Sequence, residues 1–390
     1  MPLKPPEFYQ GRPQTYVKHF FLERYLSELA YNVLHSWSDF VYVDGFSGPW
    51  RSEDEDLKDT SFHIAIETLR AVRDAFQTRF SQEKKVRFIF VEKDSKAFTE
   101  LDKFAKTVRD VPISTIPGEF EKAIPAILDK IGSRAFSLIF IDPTGWTGFG
   151  LREITPLLQL RGETLINFNL SDFSRFLEEA TRRKASSYDS CFGGSDWYDE
   201  YTDLTGGGLS REDALLETYR RRVKRFGSID YVTTARIKKP YQERAYFHLV
   251  YGTRSWKGVH VFRKVEKKTV PLEERVRAEA QAKLRDDPMA PLLFVDLPVA
   301  PGTRAYEQER TVSRSRGKAV LLELLRHKRR MPYRCLSAEV MQMPLVWKSD
   351  LDSWLNELRA NDEIRIEGLS GRATVPKPAN VVVYLGRSDG

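Results

Sequence analysis

Apolar residues recur with two different periods along this chain, and the two periods alternate. Val17, Phe20, Phe21, Tyr25, Leu26, Leu29 and Val33 fall at helical spacing and predict a helix over Val17–Leu34. Continuous apolar runs of strand length follow at Phe40–Val43, Val86–Glu92, Pro112–Ile116, Phe136–Asp142 and Glu163–Asn169. Between them Phe62–Phe80, Ser95–Val108, residues 120–131 and Leu151–Gln159 carry the helical period. Such repeated alternation predicts a parallel sheet with right-handed crossovers and helices on both faces. The stretch Leu170–Leu209 shows neither period; a helix over Arg211–Phe226 then leads to two strands, Tyr231–Ile237 and Ala245–Thr253. The connection Lys238–Arg244 is short and holds Pro240, so the pair is expected to form an antiparallel hairpin. The expected fold class is α/β: a Rossmann-like sheet of parallel strands closed by that hairpin.

Past about Lys267 the pattern changes. Leu272–Arg285 reads as a charged helix, Asp287–Gly302 holds four prolines, and Gln308–Lys318 is polar and basic. A compact pattern then follows: helices at Ala319–Lys328, Ser337–Gln342 and Lys348–Asn361, with strands at Asp362–Glu367 and Asn380–Leu385 around the turn Gly368–Gly371. Three short helices and a two-stranded wing predict a winged helix. The expected division is an N-terminal arm (1–14), an α/β domain (15–267), a helical and proline-rich linker (268–315) and a winged-helix-like domain (316–390).

Composition narrows the class. Hydrophobic residues make up 41% of the 390 positions, enough for a sizeable core. No stretch is apolar and long enough to span a bilayer, and the start of the chain has no apolar signal-type segment. The two cysteines, Cys191 and Cys335, are far apart, and the histidines show no ligand spacing. A reducing, cytoplasmic setting and no metal site are expected. The net charge of +7 favours an anionic partner; residues 303–390 hold 16 Lys and Arg against 11 Asp and Glu, so +5 of it lies there.

The candidate chemistry lies at the strand ends. Asp44 closes the first strand and runs into Gly45-Phe46-Ser47-Gly48, Glu92 closes the second, Glu119 and Phe120 follow the third, and Asp142 closes the fourth. In an open parallel sheet these ends converge where ligands bind. A cofactor with a cationic end and a nucleoside suits four acids and a small-residue loop, and S-adenosylmethionine (SAM) is such a molecule. Asp44, Gly45, Phe46 and Gly48 are expected near its amino-acid end, Glu92 on the ribose hydroxyls, and Glu119 and Phe120 beside adenine. A nicotinamide enzyme is disfavoured because the loop lacks a Gly-x-Gly-x-x-Gly turn. Asp142-Pro143-Thr144-Gly145-Trp146 resembles the Asp/Asn-Pro-Pro-Tyr loop of amino-methyltransferases, which implies Asp142 and Pro143 gripping a target amino group and Trp146 stacking on a base. The basic run Arg220, Arg221, Arg222, Lys224 and Arg225, together with Arg182–Lys184 and Lys348, is the candidate nucleic-acid surface.

Together these residues resemble the three-Cys-motif partner proteins. The likeness lies in a helix carrying Lys18, Asp44–Pro49, Val91-Glu92, Ile141–Trp146, Phe192-Gly193 near Trp197, and Tyr246–Thr253. It covers roughly residues 15–265. It implies a class I SAM-dependent methyltransferase working with a three-cysteine partner that resembles an iron–sulfur radical enzyme. The chain departs from the family pattern in two places: Trp50 stands where a third glycine of the loop is common, and Thr60-Ser61 lacks the Gly-Ser-Pro often found after it. The competing expectation is a catalytically silent Rossmann-like module that binds nucleic acid or a partner.

Overall fold

A computed structural model describes residues 3–9, 11–48, 57, 59–169, 185–286, 302–370 and 373–386. Trp50, the 182–184 basic cluster and the proline-rich 287–301 lie outside them. The chain forms two compact units, Met1–Val232 with Arg236–Arg254, and Thr233–Ala235 with Ser255–Gly390.

In the first unit a helix α1 (Pro13–Leu34) precedes five β–α repeats. These are β1 (Asp39–Asp44), α2 (Ser61–Phe80), β2 (Lys85–Glu92), α3 (Ser95–Thr107), β3 (Ile113–Pro117), α4 (Phe120–Ile131), β4 (Phe136–Ile141), α5 (Leu151–Leu158) and β5 (Gly162–Phe168). Three further helices follow, α6 (Ala185–Phe192), α7 (Trp197–Gly206) and α8 (Arg211–Gly227), then β6 (Tyr231–Lys238) and β7 (Ala245–Thr253). The strands form one seven-stranded sheet in the order β3-β2-β1-β4-β5-β7-β6. The pairs among β1 to β5 are parallel, and β7 runs antiparallel to β5. The mixed α/β sheet expected from the sequence is therefore present, with its reversed strand at β7.

The central strands read as unbroken apolar runs because helices cover both of their faces. Val41, Val43, Ile89, Val91, Ile139 and Ile141 pack with α4 and α5 on one side. The helix starts are set locally. Pro13 stands at the first turn of α1, Thr60 caps α2 by accepting from His63 N, and Asp94 caps α3 by accepting from Lys96 N and Ala97 N. Within Leu170–Leu209, where no period was legible, α6 and α7 form on Tyr188, Phe192, Trp197 and Tyr201, which join the same core. Ahead of α2, Asp59 is buried and paired with Arg12 at 3.0 Å.

The second unit holds α9 (Trp256–Asp286), α10 (Gly302–Lys328), β8 (Arg330–Pro332), α11 (Tyr333–Val340), α12 (Lys348–Ala360), β9 (Ile364–Glu367) and β10 (Val381–Tyr384). The strands make a separate antiparallel sheet in the order β8-β10-β9. Its core is Leu321, Leu325, Tyr333, Leu336, Leu351, Trp354, Leu355, Ile364 and Val382. The main segment of the unit is Ser255–Gly390, and the change of pattern near Lys267 falls within α9. Val259, Phe262 and Val265 are fully buried and continue one helical stripe through the charged run 263–268, so α9 is a single helix. Polar residues 308–318 likewise belong to α10.

Candidate active site

A cleft of about 390 Å³ opens at the carboxyl ends of β1, β2, β4 and β5. Its wall brings together Gly45, Phe46, Gly48, Glu92, Phe120, Asp142 and Pro143. Seven of the ten residues expected to hold cofactor or act in catalysis therefore meet in one place.

The loop after β1 is pinned to both neighbouring strands. Gly45 N donates to Phe140 O of β4 at 3.0 Å, and Ser47 N donates to Val91 O of β2 at 2.9 Å. The Phe120 ring lies so close to Gly45 that a Cβ there would stand 2.7 Å from it. Only glycine leaves room for that ring. Asp44 lies beneath the loop, fully buried, and does not line the cleft. Its carboxylate accepts from Phe46 N at 3.0 Å and from Ser61 Oγ at 2.8 Å. It braces the loop from within, and Ser61, one of the two departures from the family pattern, supplies half the brace. Burial pushes the Asp44 carboxyl up to about 6, against the lowering effect of those two donors.

Glu92 is buried at the end of β2, and its Oε1 accepts from Asp94 N at 2.6 Å. Glu119 departs from expectation. It is the residue before α4, its side chain is mostly exposed, and it pairs with Lys122 one turn along the helix at 2.7 Å. It does not line the cleft; the backbone of Gly118 does.

Asp142 is the best-held group of the site. Lys18 Nζ of α1 donates to its Oδ2 at 2.5 Å, and Asn167 Nδ2 of β5 donates to its Oδ1 at 2.5 Å. Lys18 also stands 5.6 Å from the Phe247 ring centroid. The loop that follows lines the cleft through Pro143, Thr144, Gly145 and Thr147. Trp146 does not. Its ring stacks on Tyr188 at 5.9 Å with 9° between planes, and its Nε1 points to Ser187 Oγ. The aromatic side chains at the cleft are Phe46, Phe120, Tyr246 and Phe247.

The segment expected as an N-terminal arm contributes Arg12 and Gln14 to the wall, and the residues just after it contribute Thr15, Lys18 and His19. His19 is buried, and Tyr9 Oη lies 3.1 Å from its Nδ1. Burial, and then the Lys18 and Arg12 charges, lower its pKa well below the usual imidazole value, so it is neutral. Asn167, Lys18 and Tyr246 were not singled out as site residues from the sequence. Their signals are slight: one amide inside an apolar strand, one cation on an apolar helix face, and one tyrosine opening a strand.

The basic run on α8 is largely consumed by the fold. Arg222 is 1% exposed and donates to Phe192 O, Glu200 and Asp196, which removes it from any nucleic-acid surface. Arg220 and Arg221 pair with Glu217, and Arg225 with Glu200. Lys224 is half-buried. Lys348, in the second unit, pairs with Asp352 at 2.6 Å.

No family model and no curated protein matches the sequence. Among solved structures, a Legionella pneumophila protein of the family DUF519 superposes with a TM-score of 0.33 at 11% identity, over 60% of this chain and 84% of that one. Loganic acid methyltransferase with SAH superposes with a TM-score of 0.30 at 11% identity, over 70% of this chain and 90% of that one. Likenesses at this level carry no argument about activity. Among the described residues no helix is long and apolar enough to cross a membrane.

Proposed function

We propose that this chain is a SAM-dependent methyltransferase of class I type, acting on the amino group of a base in nucleic acid. What carries the reading is one observation: Glu92, the pinned Gly45–Gly48 loop, Phe120 and Asp142 share a cleft at the carboxyl end of a parallel sheet. That end of such a sheet is where nucleotide-like ligands lie, and the cleft volume falls in the range of ligand pockets. The residues fit the cofactor. Glu92 would take the ribose hydroxyls, Phe120 would lie along adenine, and Gly45, Phe46 and Gly48 would offer backbone to the amino-acid end. Asp44 supports that loop rather than touching the ligand. Bound SAM supplies an electrophilic methyl group on a sulfonium. The protein's share is to align the acceptor nitrogen and exclude water, with Asp142, fixed by Lys18 and Asn167, orienting the acceptor and Pro143 setting the path of the chain after it.

The order helix–strand–helix–helix–strand–strand of the second unit supports a winged helix, and its excess of basic residues supports contact with phosphates. Cytoplasmic location rests on the two widely separated cysteines, and a three-cysteine iron–sulfur partner rests on the resemblance, to which the Asp44–Pro49 and Ile141–Trp146 segments contribute.

Calorimetric titration with SAM and SAH, followed by tritiated methyl transfer to total cellular DNA and RNA, tests the reading. Glu92→Ala should weaken SAM by about 1.5–3 kcal/mol, the scale of a charged hydrogen bond. Unchanged affinity in the folded variant would remove the ribose assignment. A second reading, a catalytically silent module, is favoured by the Asp142 carboxylate, both of whose oxygens already have donors. It wins if wild-type protein binds neither SAM nor SAH.

A further inference from the structure

We infer that Asn167 recognises the acceptor, its Oδ1 taking an N–H from an uncharged amino group on an aromatic base; the inference rests on the methyltransferase reading. Asn167 sits near the end of β5, lines the cleft, and is 6% exposed. Its neighbour Asp142 fixes how the amide faces. A carboxylate can only accept, so the amide NH2 must face it, and it does, at 2.5 Å. Oδ1 is left buried without a donor among the described residues. Buried acceptors are rarely left unmet, and one in the wall of a cleft is met by what the cleft binds.

The charges define the kind of donor. Lys18 stands 2.5 Å from Asp142, so the pair is neutral, and Asn167 adds no charge. Beside Asn167 an alkylammonium, such as a lysine side chain, would meet the Lys18 cation while the Asp142 charge is already matched by it. A neutral planar amine meets no such penalty. It can give one N–H to Asn167 Oδ1 and the other to a remaining lone pair of Asp142. Tyr246 and Phe247, 5.3 Å apart and edge to face, supply an aromatic wall that the Trp146 ring does not. The acceptor class is therefore a base with an exocyclic amino group, which adenine, cytosine and guanine carry and uracil lacks. Uracil would present O4, an acceptor, to the Asn167 acceptor.

The experiment uses the full chain and oligo(A), oligo(C) and oligo(U) as probes. SAM affinity is read by calorimetry, oligonucleotide affinity by fluorescence anisotropy in the presence of SAH, and transfer with tritiated SAM. Wild type should bind and methylate oligo(A) or oligo(C) and leave oligo(U) unlabelled. Asn167→Ala should raise KM and the anisotropy Kd for the preferred oligonucleotide about tenfold or more, with SAM affinity within about twofold. Asn167→Ser fits the same space and should move in the same direction, which covers the case in which the alanine variant fails to fold. If either folded variant keeps KM and the amino-base preference and loses only kcat, Asn167 merely positions Asp142 and the inference is overturned. Labelling of oligo(U) by wild type overturns it as well. If wild type binds no SAM, calorimetry identifies the methyltransferase reading as the one that failed, and the inference falls with it.

Discussion

Asp44 gives the sharpest test of how the loop after β1 is built. Its carboxyl is fully buried, and burial raises its pKa from 3.8 to about 6. The folded chain therefore holds the Asp44 proton more tightly than the unfolded chain does. The stability this contributes is fully present below the unfolded value of 3.8 and is lost as pH rises through about 6. At about 1.4 kcal/mol per pH unit, the whole window is worth about 3 kcal/mol. Asp44→Asn cannot titrate, so this loss is absent from the variant. Asparagine also changes the bonds to Phe46 N and Ser61 Oγ, but that offset does not depend on pH. The stability of the variant relative to wild type should thus climb with pH, by about 2 kcal/mol between about pH 4.5 and about pH 7.5. Hydrogen exchange of the β1 peptide along a urea series reads this unit alone. A difference that stays flat, or that falls with pH, would refute the argument; the ionised Asp44 would then be stabilised by more than its two donors.

Three further outcomes follow from the same geometry. Trp146→Ala removes the stack on Tyr188 and should lower stability by at least the ~0.5–1.5 kcal/mol of an aromatic pair, with SAM affinity unchanged by calorimetry; a loss of oligonucleotide affinity without a loss of stability would restore the base-stacking role. Arg222→Ala removes a buried guanidinium together with its bonds to Phe192 O, Asp196 and Glu200 and should cost at least about 1.5–3 kcal/mol in urea unfolding, the scale of a hydrogen bond to a charged group, whereas Arg221→Ala, on the same helix but exposed, should cost under ~0.5 kcal/mol. If the second unit holds phosphates, Arg326→Ala and Lys328→Ala, both exposed, should each lower the slope of log affinity against log salt by about 1, and unchanged slopes would move the contact elsewhere.

The repeated β–α order was legible because each central strand is covered on both faces and so reads as an unbroken apolar run. The converging strand ends were legible for the same reason: once the order is known, the ends of β1, β2 and β4 must lie together. What was not legible is which side chain turns inward. Glu92 and Glu119 are the same residue type near two adjacent strand ends. Glu92 is buried by the strand it closes, while Glu119 precedes α4 and finds Lys122 within one turn. The run on α8 shows the same limit. Five basic residues look like a solvated face, yet Arg222 points into the core, because α6 and α7 bring Phe192 O, Asp196 and Glu200 to it. Those helices lie in the stretch where no hydrophobic period could be read.

The pairing least visible in the sequence bears most on the chemistry. Lys18 and Asp142 are 124 residues apart, and only the docking of α1 against the sheet ends brings them together. An aspartate alone at that strand end would be an anionic site open to any cationic amine. With Lys18 on one oxygen and Asn167 on the other, the carboxylate keeps its place but gives up its net charge to the pair. If the acceptor is an amine, selectivity then passes from charge to hydrogen-bond pattern, and the group that holds an unmet acceptor, Asn167, is the one we infer to decide which amine fits. From the sequence, Asp142 and Pro143 would grip the acceptor. On the proposed reading three side chains share that role in the folded chain, with Asp142 as the anchor, Lys18 as the neutralising charge, and Asn167 as the group that discriminates among acceptors.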